Sequence, residues 1–581
     1  MANKIDRRKF LKRMAQFAMA SALPSQYLLE QVRASTASGR KRRHFINLIG
    51  YGGWDASWHH CTFSGQHLIE AADAHFSLSP GGFEYEHREK RYQYTSKCSD
   101  VQEHELLRHP SGVARLGPAM AAAMGGSNWD KTLIWKGLEH PGNHKLNNQM
   151  LIHGNVSSYA ISSSGLIAAA LAQVDRRPLH YVLMADDPVT LFTNFAMAED
   201  AAVPVCLNGI SEFRSLTSIQ GDDELSTPEM RDEVIQSVRK LSLEVLGQRA
   251  KLASSQTVAR AYAASIEGAS MIYGTNLAND PEMKYLQKYY FLEALKALKA
   301  LWEGNANIRW RAEQVHEAVY RKKYAETIAN LVRVSGGYTA LPAYELFLAN
   351  RSSYSGRESV LIDIETGPTG LDQKAALLLD ELRQQTSYFA FADYLIRKNL
   401  SAVVDLPAWI GEMDAHGTTV GSYFDELINL QFTFGCFFAL QRNLQSVLLP
   451  EGGTLLDATM IALHTDFDRY HFHEAKTYAE RNSQVAIGTN HANTASVLLA
   501  GYGIQGGRVV GGVHEGPNMP QYGERKYLDP LPINASGSPD PNGRVQSILA
   551  VAPTLVSAFG TALPAQQVTD YGVVAAVVRK E

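Results

Sequence analysis

The sequence predicts an α/β fold, a largely buried sheet covered by helices, and three features of the chain predict it. Short continuous apolar runs end in glycine or polar corners, as strands buried on both faces do. Phe45 to Ile49 breaks into Gly50-Tyr51-Gly52-Gly53, and Leu455 to Leu463 delivers His464, Thr465 and Asp466. Long stretches of helical periodicity lie between such runs. The polar corners fall where an open α/β sheet releases its strands, which is where such sheets bind ligands.

The chain begins with Asp6-Arg7-Arg8-Lys9-Phe10-Leu11-Lys12 and then a short apolar stretch, Met14 to Leu23, the pattern of a twin-arginine export signal. Residues 1–43, this leader and the basic linker Arg40 to Arg43, are therefore set apart from the fold. The expected location is the periplasm or another exported compartment, and the expected first partner is the twin-arginine export machinery. Cleavage after Ala22 or Ala37 removes six basic and one acidic residue, or seven and two, and takes the net charge from −4 to −9. A mildly acidic mature chain with no basic stripe argues against nucleic acid as a partner. No later run of about 18 apolar residues predicts a transmembrane helix. The four cysteines, Cys61, Cys98, Cys206 and Cys436, form no C-x-x-C and so no zinc knuckle. Disulfides and buried free thiols both remain open for them.

At 581 residues, 45% hydrophobic and 20% charged, the chain suits one large core with an insertion. Residues 44–225 and 336–581 read as two parts of the α/β core, and 226–335 as a helical insertion. Phe45 to Ile49 is the first strand, and its glycine turn presents Asp55. Lys131 to Lys136 is the second, followed by a polar segment that ends in Asn143 and His144. Tyr181 to Met184 and Val203 to Leu207 are further short strands. In the insertion, Ser226 and Glu229 bracket Thr227-Pro228 with capping-box spacing, and Phe291, Leu295, Leu298 and Trp302 mark a helix ending near Gly304. A periodic helix over Ala375 to Arg397 leads into a strand, Ala402 to Leu406. Asp414 and His416 follow, two residues apart, so that extended backbone would project both to one side, as two ligands of one ion need. Ser422 to Asn443 is helical again. After the strand Leu455 to Leu463, Gly488-Thr489-Asn490-His491 makes a second polar corner, Ser496 to Ala500 another strand, and Gly506-Gly507 a hairpin turn. A last helix carries Leu549, Leu555, Val556 and Phe559.

Taken in order, several of these motifs resemble the exported family called domain of unknown function fifteen-oh-one, itself similar to the alkaline phosphatase and sulfatase superfamily. They are Gly52-Gly53-Trp54-Asp55, Asn143-His144 through Gly154, Met413-Asp414-Ala415-His416-Gly417, Thr465-Asp466-Phe467 with Arg469, Gly488-Thr489-Asn490-His491-Ala492, and the glycine-rich run from Ala500 to Gly512. The resemblance spans about His44 to Gly560. It implies an alkaline-phosphatase-like sheet sandwiched by helices and a metal-dependent hydrolase of phosphate or sulfate esters acting on a small anionic ester or glycan. One or two divalent ions would be held by Asp55, Asp414, His416, Asp466 and His491, with His144 as acid, base or ligand. Mixed Asp and His ligands suit zinc, manganese or iron better than calcium or magnesium. The chain departs from the family at three positions: Asn143 stands where the family has Ser, Asn490 where it has Asp, and Asp468 where it has Gly. The nucleophile then falls to water at the metal or to Thr465, and Arg469 would neutralise an anionic substrate. Asn143 and Asn490 also support a second expectation, an exported binding or scaffold protein that keeps the fold without turnover.

Overall fold

All six residues from His44 to Ile49 are buried, polar His44 and Asn47 among them, and a run with no solvent side belongs in the middle of a covered sheet. A computed structural model describes residues 42–55, 83–87, 90–94, 107–108, 115–116, 118–124, 129–140, 144–155, 161–184 except 176 and 178, 204–207, 280–304, 367–409, 420–472, 488–515 and 528–579 except 541. The elements of the first half are β1 (His44–Ile49), β2 (Trp54–Asp55), β3 (Phe83–His87), β4 (Lys90–Tyr94), β5 (Leu107–Arg108), β6 (Arg115–Leu116), α1 (Pro118–Met124), β7 (Thr132–Glu139), α2 (His144–His153), α3 (Ser163–Ala172), β8 (Tyr181–Met184), β9 (Val205–Leu207) and α4 (Pro281–Gly304). Then come α5 (Gly367–Arg397), β10 (Val403–Pro407), α6 (Val420–Gln445), β11 (Thr459–His464), β12 (Asp468–Phe472), β13 (Gly488–His491), β14 (Thr494–Gly501), β15 (Arg508–Val510), β16 (Val513–Glu515), β17 (Leu528–Pro530), β18 (Gln546–Ser547) and α7 (Val551–Ala558).

The protein is mixed α/β. Its main sheet runs β15-β7-β14-β11-β1-β10-β8-β9, with β18 beside the far end of β7. β1 is parallel to β10 and β11, β10 to β8, β8 to β9, and β7 to β15 and β18. β14 alone opposes both of its neighbours. Successive side chains of a strand face opposite ways, so β1 serves two cores. Ile46 and Leu48 pack with α1, α4, α5 and α6, whereas Phe45 packs with α2, α3 and α7. A three-stranded sheet, β13-β12-β2, sits beside the main one. Among the described residues no helix is long and apolar enough to cross a membrane, and Cys436 is a buried free thiol. Cys61 and Cys98 lie outside the described residues.

The expected strands at 45–49, 181–184, 402–406 and 496–500 and the helix ending at Gly304 are present. Three expectations are corrected. β7 runs past Lys136 to Glu139, because Gly137 takes a φ of +74° against the Gly512 carbonyl, where a Cβ would stand 2.1 Å from that oxygen. The run from Leu455 opens as a turn rather than a strand: Asp457 Oδ2 accepts the Thr454 amide at 2.9 Å and its hydroxyl at 2.8 Å, and β11 starts only at Thr459. Gly506-Gly507 makes no hairpin, since β14 and β15 lie on opposite sides of β7. The Gly507 amide instead donates to Thr132 O at 2.8 Å, carrying the chain around the start of β7.

A polar chain crosses the buried face under α3. Ser164 Oγ donates to Asp405 Oδ1 and Tyr181 Oη to Asp405 Oδ2, each at 2.6 Å; Asn47 Nδ2 donates to Ser164 Oγ at 3.3 Å, and His464 Nε2 to Asn47 Oδ1 at 3.0 Å. Burial outweighs these donors and pushes the Asp405 carboxyl up to about 6. A carboxyl that holds its proton better folded than unfolded adds stability below its ordinary value near 3.8, and that stability is lost as pH rises through 6. Relative to Asp405→Asn, the wild type should lose about 2 kcal/mol between pH 4 and pH 7. Denaturant midpoints of the two proteins across that range measure this, and a difference that stays flat with pH would refute it.

Candidate functional site

The site is built where β1 and β11 end. Gly50 N donates to His464 O at 2.8 Å, so the two strands leave the sheet together. From β1 comes the turn Gly52-Gly53, both residues at positive φ, and from β11 comes Thr465-Asp466. The Gly53 amide donates to Thr465 Oγ1 at 3.2 Å, Thr465 Oγ1 donates to Asp466 Oδ1 at 2.7 Å, and the Gly52 amide reaches Asp466 Oδ2 at 3.4 Å. A β-branched hydroxyl and two glycine amides thus hold one carboxylate, which is wholly buried.

α2 starts at His144, and His144 Nδ1 donates to the second oxygen of the same carboxylate, Asp466 Oδ2. This contact fixes the tautomer of the neutral ring: Nδ1 carries the hydrogen and Nε2 is the basic nitrogen. The His144 side chain is 20% exposed while that of Asp466 is 0% exposed, so the imidazole stands between the carboxylate and solvent. His491, at the end of β13, meets the His144 ring edge-on with centroids 4.9 Å apart. Tyr51 flanks His144 at 5.3 Å.

The small sheet aligns three expected site residues. Arg469 of β12 is in register with Asp55 of β2 on one side and His491 of β13 on the other. Arg469 is buried; its Nε donates to Gly52 O, and its guanidinium lies 5.2 Å from the Phe467 ring centroid. Asp468 is also buried and accepts from Trp54 Nε1 at 2.9 Å, Ser496 Oγ at 2.7 Å and Thr494 Oγ1 at 3.1 Å.

Of the expected site residues, the structure therefore brings His144, Thr465, Asp466, Arg469 and His491 into one corner, with the backbone of Asp55 in line. Thr465 lies behind Asp466 with its hydroxyl engaged on both sides, not facing solvent. Asp414, His416 and Asn143 fall outside the described residues. Two imidazoles beside a buried carboxylate match the donor chemistry of zinc, manganese or iron. Among the described residues, however, no group of three His, Cys, Asp or Glu side chains is placed to hold an ion.

Sequence reasoning missed Phe467 and His140. His140 Nε2 donates to Ala492 O at 2.8 Å and its Nδ1 accepts from Asn147 Nδ2 at 2.9 Å; burial lowers its proton affinity, so the ring is neutral and fixed. Its signal was slight, a histidine one residue beyond a strand. Phe467 stood only as one position of the Thr465-Asp466-Phe467 motif, because an aromatic residue after a polar corner reads as core.

Searches against family models, curated proteins and solved structures find no match to this chain.

Proposed function

We propose that this corner is the catalytic centre of an exported metal-dependent hydrolase of phosphate or sulfate esters, built on an alkaline-phosphatase-like version of the α/β fold. One observation carries the reading: the buried Asp466 carboxylate, at the carboxyl ends of β1 and β11, orients His144, with His491 against the same ring. A sealed carboxylate behind a partly exposed imidazole is an arrangement that positions a base. The export leader and the order of the sequence motifs point the same way.

Asp466 and His491 would hold the metal together with Asp55, Asp414 and His416. Bound there, a divalent ion would polarise the ester's phosphoryl or sulfuryl oxygen. This chain's own residues supply the rest. His144 Nε2 takes the proton from the attacking water and returns one to the leaving alcohol, while Asp466 holds the ring through Nδ1. Thr465 and the Gly52 and Gly53 amides keep Asp466 in place. Arg469 places a positive charge beneath the site that favours an anionic substrate.

Elemental analysis of the mature protein from the exported fraction, beside Asp466→Ala and His491→Ala, tests the assignment. About one or two equivalents of metal are expected in the wild type and less than a tenth of that in either variant. His144→Gln should retain the metal and lose about 100-fold to 10,000-fold in turnover of the best ester found. A wild-type protein without metal would overturn the hydrolase and leave the second reading, a binding protein on the same fold. The buried, engaged Thr465 hydroxyl favours that alternative, since it puts no side-chain nucleophile at the surface of the described corner.

A further inference from the structure

His140, His144 and His491 come from three separate elements, and one ring lies among them. Phe467, wholly buried, has its centroid 3.9 Å from that of His491, 4.6 Å from His144 and 5.6 Å from His140, the last nearly parallel to it. The Arg469 guanidinium lies over the same ring at 5.2 Å. The side facing the β1 turn is closed by Gly53: a Cβ there would fall 2.5 Å from the Phe467 ring. The ring therefore has no room to shift towards β1 and is surrounded by nitrogen-bearing groups. We infer that Phe467 is the positioning residue of this centre, the flat platform that holds His144 and His491 at their edge-on separation.

Two physical facts make a benzene ring suited to this. Its faces carry negative quadrupole potential that attracts a cation such as the Arg469 guanidinium, and they offer a flat surface against which His140, His491 and His144 lie stacked or tilted, at interplanar angles of 26°, 38° and 53°. It is also rigid, with few side-chain torsions, and a misplacement of about 1 Å in a catalytic group costs on the order of 100-fold in rate. Asp466 fixes His144 through one ring nitrogen, and the ring of His491 packs against that imidazole. Phe467 contacts both. A leucine would replace much of the volume but offers neither the flat face nor the quadrupole.

The inference rests on the reading that His144 and His491 work together, so its test has a readout that needs neither metal nor turnover. In the full mature protein with isotope-labelled histidine, ring protons of His144 and His491 should be displaced by the Phe467 ring current and should show a cross-relaxation peak to one another. Assignments come from His144→Gln and His491→Gln. Phe467→Leu should abolish the peak and the displacement and weaken zinc binding about tenfold to 100-fold. Phe467→Tyr, which keeps the ring, should retain the peak and stay within about threefold of wild type in zinc binding. Should the leucine variant fail to fold, Phe467→Met takes its place. Wild-type histidine signals in the leucine or methionine variant would overturn the inference, as would their loss in a folded tyrosine variant. A wild type that binds no zinc yet shows the peak, lost in the leucine variant, would overturn the hydrolase and leave the positioning role intact.

Discussion

Asp468→Ala should cost about 4 kcal/mol and loosen the small sheet from the large one. The carboxylate accepts from Trp54 on β2 and from Thr494 and Ser496 on β14, so one side chain of β12 joins strands of both sheets. Removing it strands three buried donors, each costing roughly 1–3 kcal/mol when unsatisfied. Asp468→Asn keeps the shape and one acceptor oxygen, and should cost about half as much. Denaturant titration of the three proteins measures the order, and an alanine variant within about 0.5 kcal/mol of wild type would show that the carboxylate does not hold the sheets together.

Gly53→Ala should be nearly as harmful, for two separable reasons. The φ of +78° costs an L-residue about 1–2 kcal/mol. The added methyl would stand 2.5 Å from the Phe467 ring and 2.9 Å from Arg469 Nε, both wholly buried, which adds about 1–3 kcal/mol of overpacking. Gly452 supplies the control, because its φ is +90° but nothing lies within 4 Å of the Cβ it would acquire. Gly452→Ala should therefore show the backbone cost alone. If the two variants lose the same stability, the packing of Gly53 on Phe467 is not as tight as described. Of the two, only Gly53→Ala should also disturb the signals of His144 and His491.

Much of the frame was legible because burial on both faces writes itself as an unbroken apolar run. Phe45 to Ile49 and Tyr181 to Met184 could be read directly, and so could the corners that follow such runs, where Asp466 and the glycines of β1 meet. Strand direction was not legible. Ser496 to Ala500 looks the same whichever way it runs, and only its pairing with Leu463 and Ile134 makes β14 oppose its neighbours. The glycine pair after it fits a hairpin equally well, and a long-range bond to Thr132 decides otherwise. Within the site, residue type identified Asp466, His144 and His491, whose chemistry marks them. Thr465 and Arg469 were identified too, but not the sides they face, because alternation ends where β11 does. Phe467 was hidden by being apolar, although its ring packs against both His144 and His491.

The position of β7 bears on how the chain is made. Among the described residues, every strand that pairs with it, β14, β15 and β18, is drawn from residues 494 onward, whereas β1, β10 and β11 find one another earlier. On the ribosome, the eight residues from Thr132 to Glu139 are among the first sheet segments synthesised and the last to be paired. A product truncated anywhere before Thr494 would leave that strand without any of these partners, its Leu133, Ile134 and Trp135 open to association with other chains. Completion of translation, rather than the speed of any local element, then sets when the sheet can close.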